Sequence, residues 1–359
     1  MHDDRVRAVV RSYRERVRVV GVELFGKSST YDWVVTEDAG FEKITLFPEQ
    51  DFTSNSILKT ASAILKLCRQ VGAQHIFFCN YEKPEIFLAA LLLRLSGKKT
   101  YMMANSKYDD KTRSLFKEVA KSLFLTPYLG GISNEARSAD YMRFLGIDPR
   151  KIASPYNTLS LSEIRRLSAV EPAPAGPLFT DRHFTIVARF VPEKNLPMAI
   201  EAYARYCQTT STPRKLQICG SGNLEPMLRA CVSELGLDDK VVFRGFLQRD
   251  GVAQALGQSL ALILPSIDET FGNVVIEAQA MGLPVLLSET CGARDTLVRS
   301  GVNGFVFEPD NPEGLAFFMG LLDRDEALWR RMCGSASAYA EKGDVDRFAE
   351  AIMTLVPVS

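Results

Sequence analysis

The chain has 359 residues, of which 46% are hydrophobic and 24% charged, and its mean hydropathy is near zero at −0.02. These values predict a globular protein with a large core and about two domains. Because 43 basic residues balance 43 acidic ones, the composition argues against a nucleic-acid-binding protein that relies on overall positive charge. The balance is uneven along the chain. Residues 1–150 hold 23 basic and 18 acidic residues, and the remainder holds 20 basic and 25 acidic residues.

Cysteine and histidine patterns argue against a disulfide framework and a metal centre. The seven cysteines are scattered, form no C-x-x-C pair and have mostly apolar neighbours, which is typical of reduced core residues. His2, His75 and His183 lie far apart and belong to no H-E-x-x-H pattern. The longest apolar run, 86–93, is about half the length of a bilayer span, and the N-terminus lacks the apolar stretch of a secretory signal. We therefore expect a cytoplasmic protein without a protein-built metal site.

The first half of the chain alternates helical and strand patterns. Residues 4–15 have helical spacing, and residues 17–24 form a strand pattern that leads into a Gly-Lys-Ser-Ser loop at 26–29. The next predicted elements are a helix over 56–72, a strand over 75–80, a helix over 85–97 and a strand over 99–105. This alternation predicts a parallel sheet with helices on its faces.

A proline-rich segment divides the chain. Residues 170–177, Val-Glu-Pro-Ala-Pro-Ala-Gly-Pro, contain three prolines, which is typical of an exposed connector. We therefore predict a first domain over 1–170, a linker over 171–177 and a second domain over 178–345.

The second domain repeats the alternation. Strands are predicted over 183–190, 215–222, 240–246, 260–266, 284–289 and 304–309, and helices over 196–208, 225–236, 251–259 and 274–282. Two α/β domains joined by a linker are expected to hold their ligand in the cleft between them, near the carboxyl ends of the strands.

Gly220-Ser-Gly222 follows a predicted strand and precedes a predicted helix. Glycines at such a position let a phosphate or a sugar approach the backbone closely. The dinucleotide-binding fingerprint needs a third glycine where Glu225 stands, so a nicotinamide or flavin site loses its main support. A tight strand-to-helix turn without a ligand is the alternative.

The segment 262–284 concentrates polar residues at the end of a buried strand. An apolar strand leads into a loop with Asp268 and Glu269, and a helix begins near Gly272 and Asn273. The first N–H groups of a helix have no partner within it, so this helix start predicts an anion site. Glu277 lies among apolar residues of that helix. A carboxylate there needs a polar partner if it is buried, and the alternative is that it lies on the solvent-exposed face of the helix.

The spacing Glu269-x7-Glu277 resembles the signature of glycosyltransferase family 4, whose members are retaining enzymes of the GT-B fold. Arg189-x4-Lys194-Asn195 resembles that family's R-x4-K-N segment. The further motifs that occur in the family's order and spacing are Gly220-Ser-Gly222, Phe243-x-Gly245-Phe246 and Gly301-Val-Asn-Gly304. The resemblance is strong over 183–310 and weak over 1–160.

This resemblance implies an α/β protein with two Rossmann-like doubly wound domains that face each other across a cleft. A final helix, from about 346, would pack on the first domain. The implied reaction moves a sugar from a UDP- or GDP-sugar donor to a hydroxyl of an acceptor sugar, lipid-linked sugar or small molecule, in bacterial polysaccharide, glycolipid or glycoside biosynthesis. The resemblance implies no metal and no cofactor. The other large glycosyltransferase fold holds manganese with an acidic D-x-D sequence at a strand end, but Asp344-Val-Asp346 follows no predicted strand here and is predicted as a helix start.

The resemblance also implies roles for individual residues. Glu269 would accept hydrogen bonds from hydroxyls of the transferred sugar, and Glu277 would bind the ribose diol. Arg189 and Lys194 would neutralise the diphosphate leaving group as the glycosidic bond breaks. The other donor-binding residues implied are Phe271, Gly272, Asn273, Val274, Gly220, Gly222 and Phe246.

Two departures from the family pattern affect the first domain. The sequence begins with Met-His-Asp-Asp and leads directly into the first predicted helix, so we expect the family's first strand and glycine-rich loop to be absent. Asn105 and Ser106 stand where many relatives have a histidine. We therefore assign no catalytic residue there. Two alternatives stay open: a sugar-nucleotide-binding protein without transferase activity, and a sugar-nucleotide epimerase of the same fold.

The stretch 94–121 carries eight basic and three acidic residues. Its predicted helix, 111–125, alternates basic residues with an apolar stripe formed by Leu115, Phe116, Val119, Leu123 and Phe124. A peripheral contact with the inner face of a membrane, or an anionic lipid-linked acceptor, would suit this pattern. A packed helix with a solvated basic face is the alternative, and the more ordinary one.

Overall fold

The computed structural model describes residues 2–26, 40–50, 56–110, 113–134 and 136–357. The chain divides into two compact units, the first comprising residues 1–158 and 345–359, the second residues 159–344. Most of the glycine-containing loop predicted at 26–29 lies outside the described residues.

Unit 1 is an α/β unit with two parallel sheets. Its helices are α1 (His2–Tyr13), α2 (Ile57–Gln70), α3 (Pro84–Leu95), α4 (Leu115–Leu125), α5 (Ala136–Phe144) and, from the end of the chain, α13 (Val345–Leu355). Its strands are β1 (Val20–Phe25), β2 (Glu42–Phe47), β3 (His75–Phe78), β4 (Lys99–Met103), β5 (Gly130–Ile132) and β6 (Ile152–Ala153). Strands β1 and β2 form a pair, and β3 to β6 form a four-stranded sheet in chain order. Strand β2 was not predicted.

The final helix belongs to unit 1. Arg11 of α1 forms an ion pair with Asp346 of α13 at 2.7 Å, and the Tyr13 hydroxyl donates a hydrogen bond to the Val356 carbonyl at 2.7 Å. Phe348 and Ile352 of α13 share one apolar cluster with Val9 of α1. The helix expected from about 346 therefore begins at residue 345 and packs on the first helix.

Unit 2 holds one six-stranded parallel sheet. Its helices are α6 (Leu161–Ser168), α7 (Leu196–Cys207), α8 (Glu225–Glu234), α9 (Arg249–Gly257), α10 (Val274–Ala280), α11 (Pro312–Arg324) and α12 (Glu326–Ala340). Its strands are β7 (His183–Val187), β8 (Leu216–Cys219), β9 (Val241–Gly245), β10 (Ser259–Leu264), β11 (Val285–Ser288) and β12 (Gly304–Phe307). The strand order across the sheet is β12-β11-β10-β7-β8-β9.

The central strands of unit 2 are continuous apolar runs. All six residues of β10 are buried, and Leu262 lies between Thr185 of β7 and Val285 of β11. Parallel strands are covered by helices on both faces, which is why both sets of side chains are apolar. Helix α7 buries one side through Leu196, Ala199, Ile200 and Tyr203, the three- and four-residue spacing of an amphipathic helix.

The predicted domain boundary and linker are wrong in position. The division falls between residues 158 and 159, because Leu161 and Ile164 of α6 belong to the apolar core of unit 2. The predicted linker 171–177 is also held to that unit: the Ala173 N–H donates to the Met281 carbonyl at 2.9 Å. Buried Arg182 donates to the carbonyls of Ala175 at 2.6 Å and Pro177 at 3.1 Å. Proline content indicated a connector, yet the backbone of this segment is fixed by hydrogen bonds.

Helix α4 does not pack its apolar side inward, as a packed helix with a solvated basic face would. Leu115, Phe116, Val119 and Leu123 are all more than half exposed, whereas Glu118 is buried. Four of the five residues of the apolar stripe therefore face outward, and only Phe124 packs against the unit, through its contact with the Phe87 ring. Within the part of the chain that the structure describes, no helix combines the length and apolar character needed to span a membrane.

Candidate functional site

The sheet of unit 2 has a switch point between β7 and β10. From β7 the chain proceeds to β8 and β9 on one side, and from β10 it proceeds to β11 and β12 on the other. The loops that follow β7 and β10 consequently diverge and leave a crevice at their carboxyl ends, where ligands of open α/β sheets bind. These two loops carry the R-x4-K-N motif and the start of the Glu269-x7-Glu277 motif.

An ion pair joins the two loops at this point. Lys194, after β7, donates to the Glu269 carboxylate, after β10, and the two side chains keep 14% and 18% of their exposure. The Ile267 N–H donates to the Glu193 carbonyl at 2.9 Å and adds a backbone link between the loops. A cation and an acceptor are therefore held together at the switch point, although they lie 75 residues apart in the chain.

Asn195 fixes the position of these loops. Its backbone has φ of +52°, in the left-handed region that asparagine tolerates, and it precedes α7. Its side-chain amide donates to the carbonyls of Pro265 at 3.3 Å and Pro309 at 2.7 Å, which follow β10 and β12. The sequence analysis included Asn195 in a motif but assigned it no role. In the structure its hydrogen bonds connect the segment after β7 with the segments after β10 and β12.

The loop Gly220-Ser-Gly222 lies against the segment that follows β7. The Phe190 N–H donates to the Ser221 carbonyl at 2.8 Å. A Cβ at position 220 would be 1.8 Å from the Ala188 oxygen, and one at position 222 would be 2.5 Å from the Phe190 oxygen. Gly222 also has φ of +157°. Contact between the two loops is thus sufficient to require both glycines, and it places them beside the backbone of Arg189, whose side chain is exposed.

Burial and backbone hydrogen bonds hold the loop after β10 in place. Phe271 is buried, and its carbonyl accepts from the Ala293 N–H at 2.8 Å, while the Glu269 carbonyl accepts from the Gly292 N–H at 3.1 Å. Gly272 has φ of +96°, a conformation that glycine adopts without strain. Asn273 and Val274 then begin the short helix α10, which is enclosed by core residues. The loop that carries Glu269 is therefore fixed at both its ends.

Glu277 has an unusual electrostatic environment. Glu277 is only partly exposed to solvent. Its neighbours Val275, Ile276 and Ala278 are buried. Burial raises the pKa of the Glu277 carboxyl to about 7, and the nearby Arg249 guanidinium acts in the opposite direction. The charge of Arg249 reaches this carboxylate from the first residue of α9. Sequence reasoning missed Arg249, because it belongs to none of the motifs.

The predicted site residues follow four strands of the unit 2 sheet. Lys194 and Glu269 are in direct contact, and Gly220 and Gly222 adjoin the segment of Arg189. Phe271, Gly272, Asn273 and Val274 form the entry to α10, and Glu277 follows within it. Phe246 lies just beyond β9 with an exposed ring. All of them belong to unit 2, after the strands β7, β8, β9 and β10.

Acidic residues near the C-terminus have structural partners. Asp344 accepts from the Leu161 N–H at 3.2 Å, and Asp346 pairs with Arg11, so the D-x-D sequence lies at the start of α13. Across the described ranges, no group of three or more histidine, cysteine, aspartate or glutamate residues is arranged to hold a metal ion.

Comparison with known proteins finds a family similarity for the second unit. Residues 175–333 match the family model "Glycosyl transferases group 1". A D-inositol 3-phosphate glycosyltransferase of Streptomyces bingchenggensis is 29% identical over 231 residues, which cover 61% of this chain and 50% of that protein. The first curated relatives are matched over about a third to a half of their own length.

Two further similarities extend into unit 1. N-acetylgalactosamine-N,N'-diacetylbacillosaminyl-diphospho-undecaprenol 4-alpha-N-acetylgalactosaminyltransferase of Campylobacter jejuni is 28% identical over 295 residues, covering 79% of this chain and 76% of that protein. A crystal structure of Anabaena Alr3699/HepE in complex with UDP and glucose has a TM-score of 0.73 at 17% identity, covering 99% of this chain and 95% of that one. At this identity the likeness concerns the fold, and it confirms the predicted α/β GT-B class. The family match itself, over residues 175–333, is to the glycosyl transferases group 1 and concerns the second unit.

Proposed function

We propose that this chain is a retaining glycosyltransferase of family 4, which moves a sugar from a nucleotide-diphosphate-sugar donor to an acceptor hydroxyl. The observation that carries the proposal is the Lys194–Glu269 ion pair at the switch point of the unit 2 sheet. It places a cation and a hydrogen-bond acceptor where a ligand of this fold is expected to bind.

Arg189 and Lys194 act on the leaving group in this proposal. Breaking the glycosidic bond of a sugar nucleotide develops negative charge on the diphosphate, and fixed cations beside it stabilise the transition state. Backbone N–H groups from Phe271 to Val274 add further donors at the entry to α10. Because these groups supply the positive charge, we propose that transfer needs no divalent metal and no cofactor.

Glu269 and Glu277 bind different parts of the donor. Glu269 accepts hydrogen bonds from hydroxyls of the transferred sugar, and its bond with Lys194 orients the carboxylate before the donor arrives. Glu277 accepts hydrogen bonds from the ribose hydroxyls through its carboxyl oxygens. Phe246 offers an exposed ring to the base, and Gly220 and Gly222 keep the floor of the site free of side chains.

The donor is a UDP- or GDP-sugar, and the acceptor is a sugar, a lipid-linked sugar or a small molecule. The Anabaena structure was solved with UDP and glucose, which supports a UDP-sugar. The name of the Campylobacter relative specifies a diphospho-undecaprenol acceptor, which supports a lipid-linked sugar. All seven cysteines are free, which fits action in the cytoplasm.

The test is a transfer or donor-hydrolysis assay on the full chain, with a panel of UDP- and GDP-sugars. The product is examined by proton NMR at its anomeric position while turnover continues. We expect the donor's α or β configuration in the product, and activity that persists in excess EDTA. An inverted product or strict dependence on manganese would overturn the mechanism, and donor isomerisation without transfer would identify an epimerase.

A further inference from the structure

The segment that follows β11 runs alongside the loop that carries Glu269. Strand β11 lies next to β10 in the sheet, so the two chain segments leave the sheet as neighbours. Glu269 and Cys291 pair in an isolated parallel β-bridge, and the Gly292 N–H donates to the Glu269 carbonyl at 3.1 Å. These contacts use only the backbone and are open to almost any side chain. A side chain that adds to them is therefore a feature of this particular sequence.

Thr290 supplies such a side chain. Its hydroxyl donates to the Ser266 carbonyl at 2.6 Å, and Ser266 is fully buried three residues before Glu269. A buried carbonyl needs a donor, because water cannot replace the one it loses. Thr290 is partly buried, and the next residue, Cys291, is the one that bridges to Glu269. The stretch 266–269 is consequently held at its first residue by the Thr290 hydroxyl and at its last residue by the backbone.

Ser288 fixes the direction of the Thr290 hydroxyl. The two hydroxyl oxygens are 3.0 Å apart, and Ser288, the last residue of β11, is fully buried. A threonine hydroxyl has a single proton, and that of Thr290 lies in the bond to the Ser266 carbonyl. Ser288 therefore donates to Thr290, and two hydrogen bonds in sequence connect β11 with the loop of Glu269. Each bond in such a chain polarises and strengthens the next.

We infer that Thr290 is a positioning residue that sets the geometry of Glu269 toward the transferred sugar. The inference rests on the proposed function, in which Glu269 binds that sugar. Lys194 contacts the Glu269 carboxylate directly from the β7 side, whereas Thr290 acts from the β11 side through the backbone of 266–269. Without the Thr290 hydroxyl, the Ser266 carbonyl lacks this donor and the loop shifts. A displacement of about 1 Å in a group that acts on the transition state can lower a rate about a hundredfold.

The test compares Thr290→Val with Thr290→Ser in the full chain. Valine is nearly isosteric with threonine but lacks the hydroxyl, and serine retains it. With a UDP- or GDP-sugar that the parent transfers or hydrolyses, Thr290→Val should lower kcat about fivefold to twentyfold and change the donor KM less than about twofold. Thr290→Ser should restore at least about half of the parent's kcat.

Nucleotide binding separates positioning from stability. Calorimetric affinities of Thr290→Val for UDP and GDP should stay within about twofold of the parent's, because the contacts proposed for Glu277 and the entry to α10 do not involve the stretch 266–269. Ser288→Ala, which leaves Thr290 in place without its donor, should lower kcat about twofold to fivefold. A residue that only stabilised the fold would not lower turnover while nucleotide binding stayed intact.

Thr185→Val provides the matched control. Thr185 is a buried threonine of β7 whose hydroxyl oxygen lies 2.6 Å from that of Ser259, the first residue of β10 and thus far from the carboxyl end of that strand. Ser259 also donates to the Ala255 carbonyl at 2.8 Å and keeps that partner in the variant. Thr185→Val should lower Tm and leave kcat unchanged at a temperature where the chain is folded.

The possible results distinguish the inference from the proposed function. The inference is overturned if Thr290→Val keeps the parent's kcat, if Thr290→Ser fails to restore activity, or if Thr185→Val lowers kcat as much as Thr290→Val does. In each of these cases the parent is an active transferase and the proposed function stands. A parent chain that neither transfers nor hydrolyses any UDP- or GDP-sugar of the panel would overturn the proposed function, and the inference with it.

Discussion

Breaking the Lys194–Glu269 pair should destabilise unit 2 measurably. Exposed ion pairs contribute about 0–1 kcal/mol, and removing one partner of a fully buried pair costs about 3–5 kcal/mol. With 14% and 18% exposure, this pair lies between those limits. We therefore expect Lys194→Met to lower the free energy of unfolding by about 1–3 kcal/mol. For a unit of this size the corresponding fall in Tm is on the order of 2–10 °C.

A double-mutant cycle measures the pair itself. Lys194→Met, Glu269→Gln and the double variant are unfolded in urea, and the coupling free energy is expected to be about 1–2 kcal/mol. The control cycle uses Arg229→Met and Glu225→Gln, whose pair at 2.7 Å lies on the exposed side of α8 and should couple by less than about 0.5 kcal/mol. Equal coupling in the two cycles, or none at Lys194 and Glu269, would refute the structural basis of the site.

Three further predictions follow from the same site. In steady-state kinetics, Glu269→Ala should lower turnover about a hundredfold or more, whereas Glu277→Ala should chiefly weaken donor binding, by about 1.5–3 kcal/mol; the reverse pattern would exchange the two roles. Because burial raises the pKa of Glu277 from 4.5 to about 7, the folded chain retains a proton that the unfolded chain releases. Its contribution to the free energy of unfolding therefore decreases as pH rises through this interval, and Glu277→Gln should flatten that dependence in urea titrations; an unchanged slope would contradict the assignment. Gly222→Ala should cost about 1–3 kcal/mol because of its positive φ and the close Phe190 oxygen, whereas Gly334→Ala, in open space on α12, should stabilise by about 0.5–1 kcal/mol; thermal unfolding of both variants compares them.

The alternation of strands and helices could be predicted because its signal is local. Buried parallel strands such as β10 are continuous apolar runs, and helices such as α7 repeat apolar residues every three or four positions. The boundary between the units could not be predicted in this way. Composition identified the proline-rich segment as a connector, but the contacts of Ala173 with Met281 that fix it to unit 2 join distant parts of the chain.

The candidate site was predictable in its residues and not in its contacts. The motifs named Lys194 and Glu269 separately, whereas their pairing depends on β7 lying next to β10, which follows from the strand order of the sheet. Arg249 was missed because its effect on Glu277 arises from the placement of α9. The orientation of α4 was also beyond the sequence pattern, since the same spacing fits an apolar stripe turned inward or outward. Tertiary partners of Glu118 decide between the two.

Calorimetric titration of the full chain with UDP and with GDP, in the presence of EDTA, tests the central claim most directly. We predict one-to-one binding of at least one of the two nucleotides. Glu277→Ala should weaken that binding at least about tenfold through the lost ribose contact, while Glu313→Gln, on the exposed surface of α11, should leave it unchanged. The absence of binding by a folded chain, or an affinity that Glu277→Ala leaves intact, would contradict a nucleotide-sugar site at the carboxyl ends of these strands.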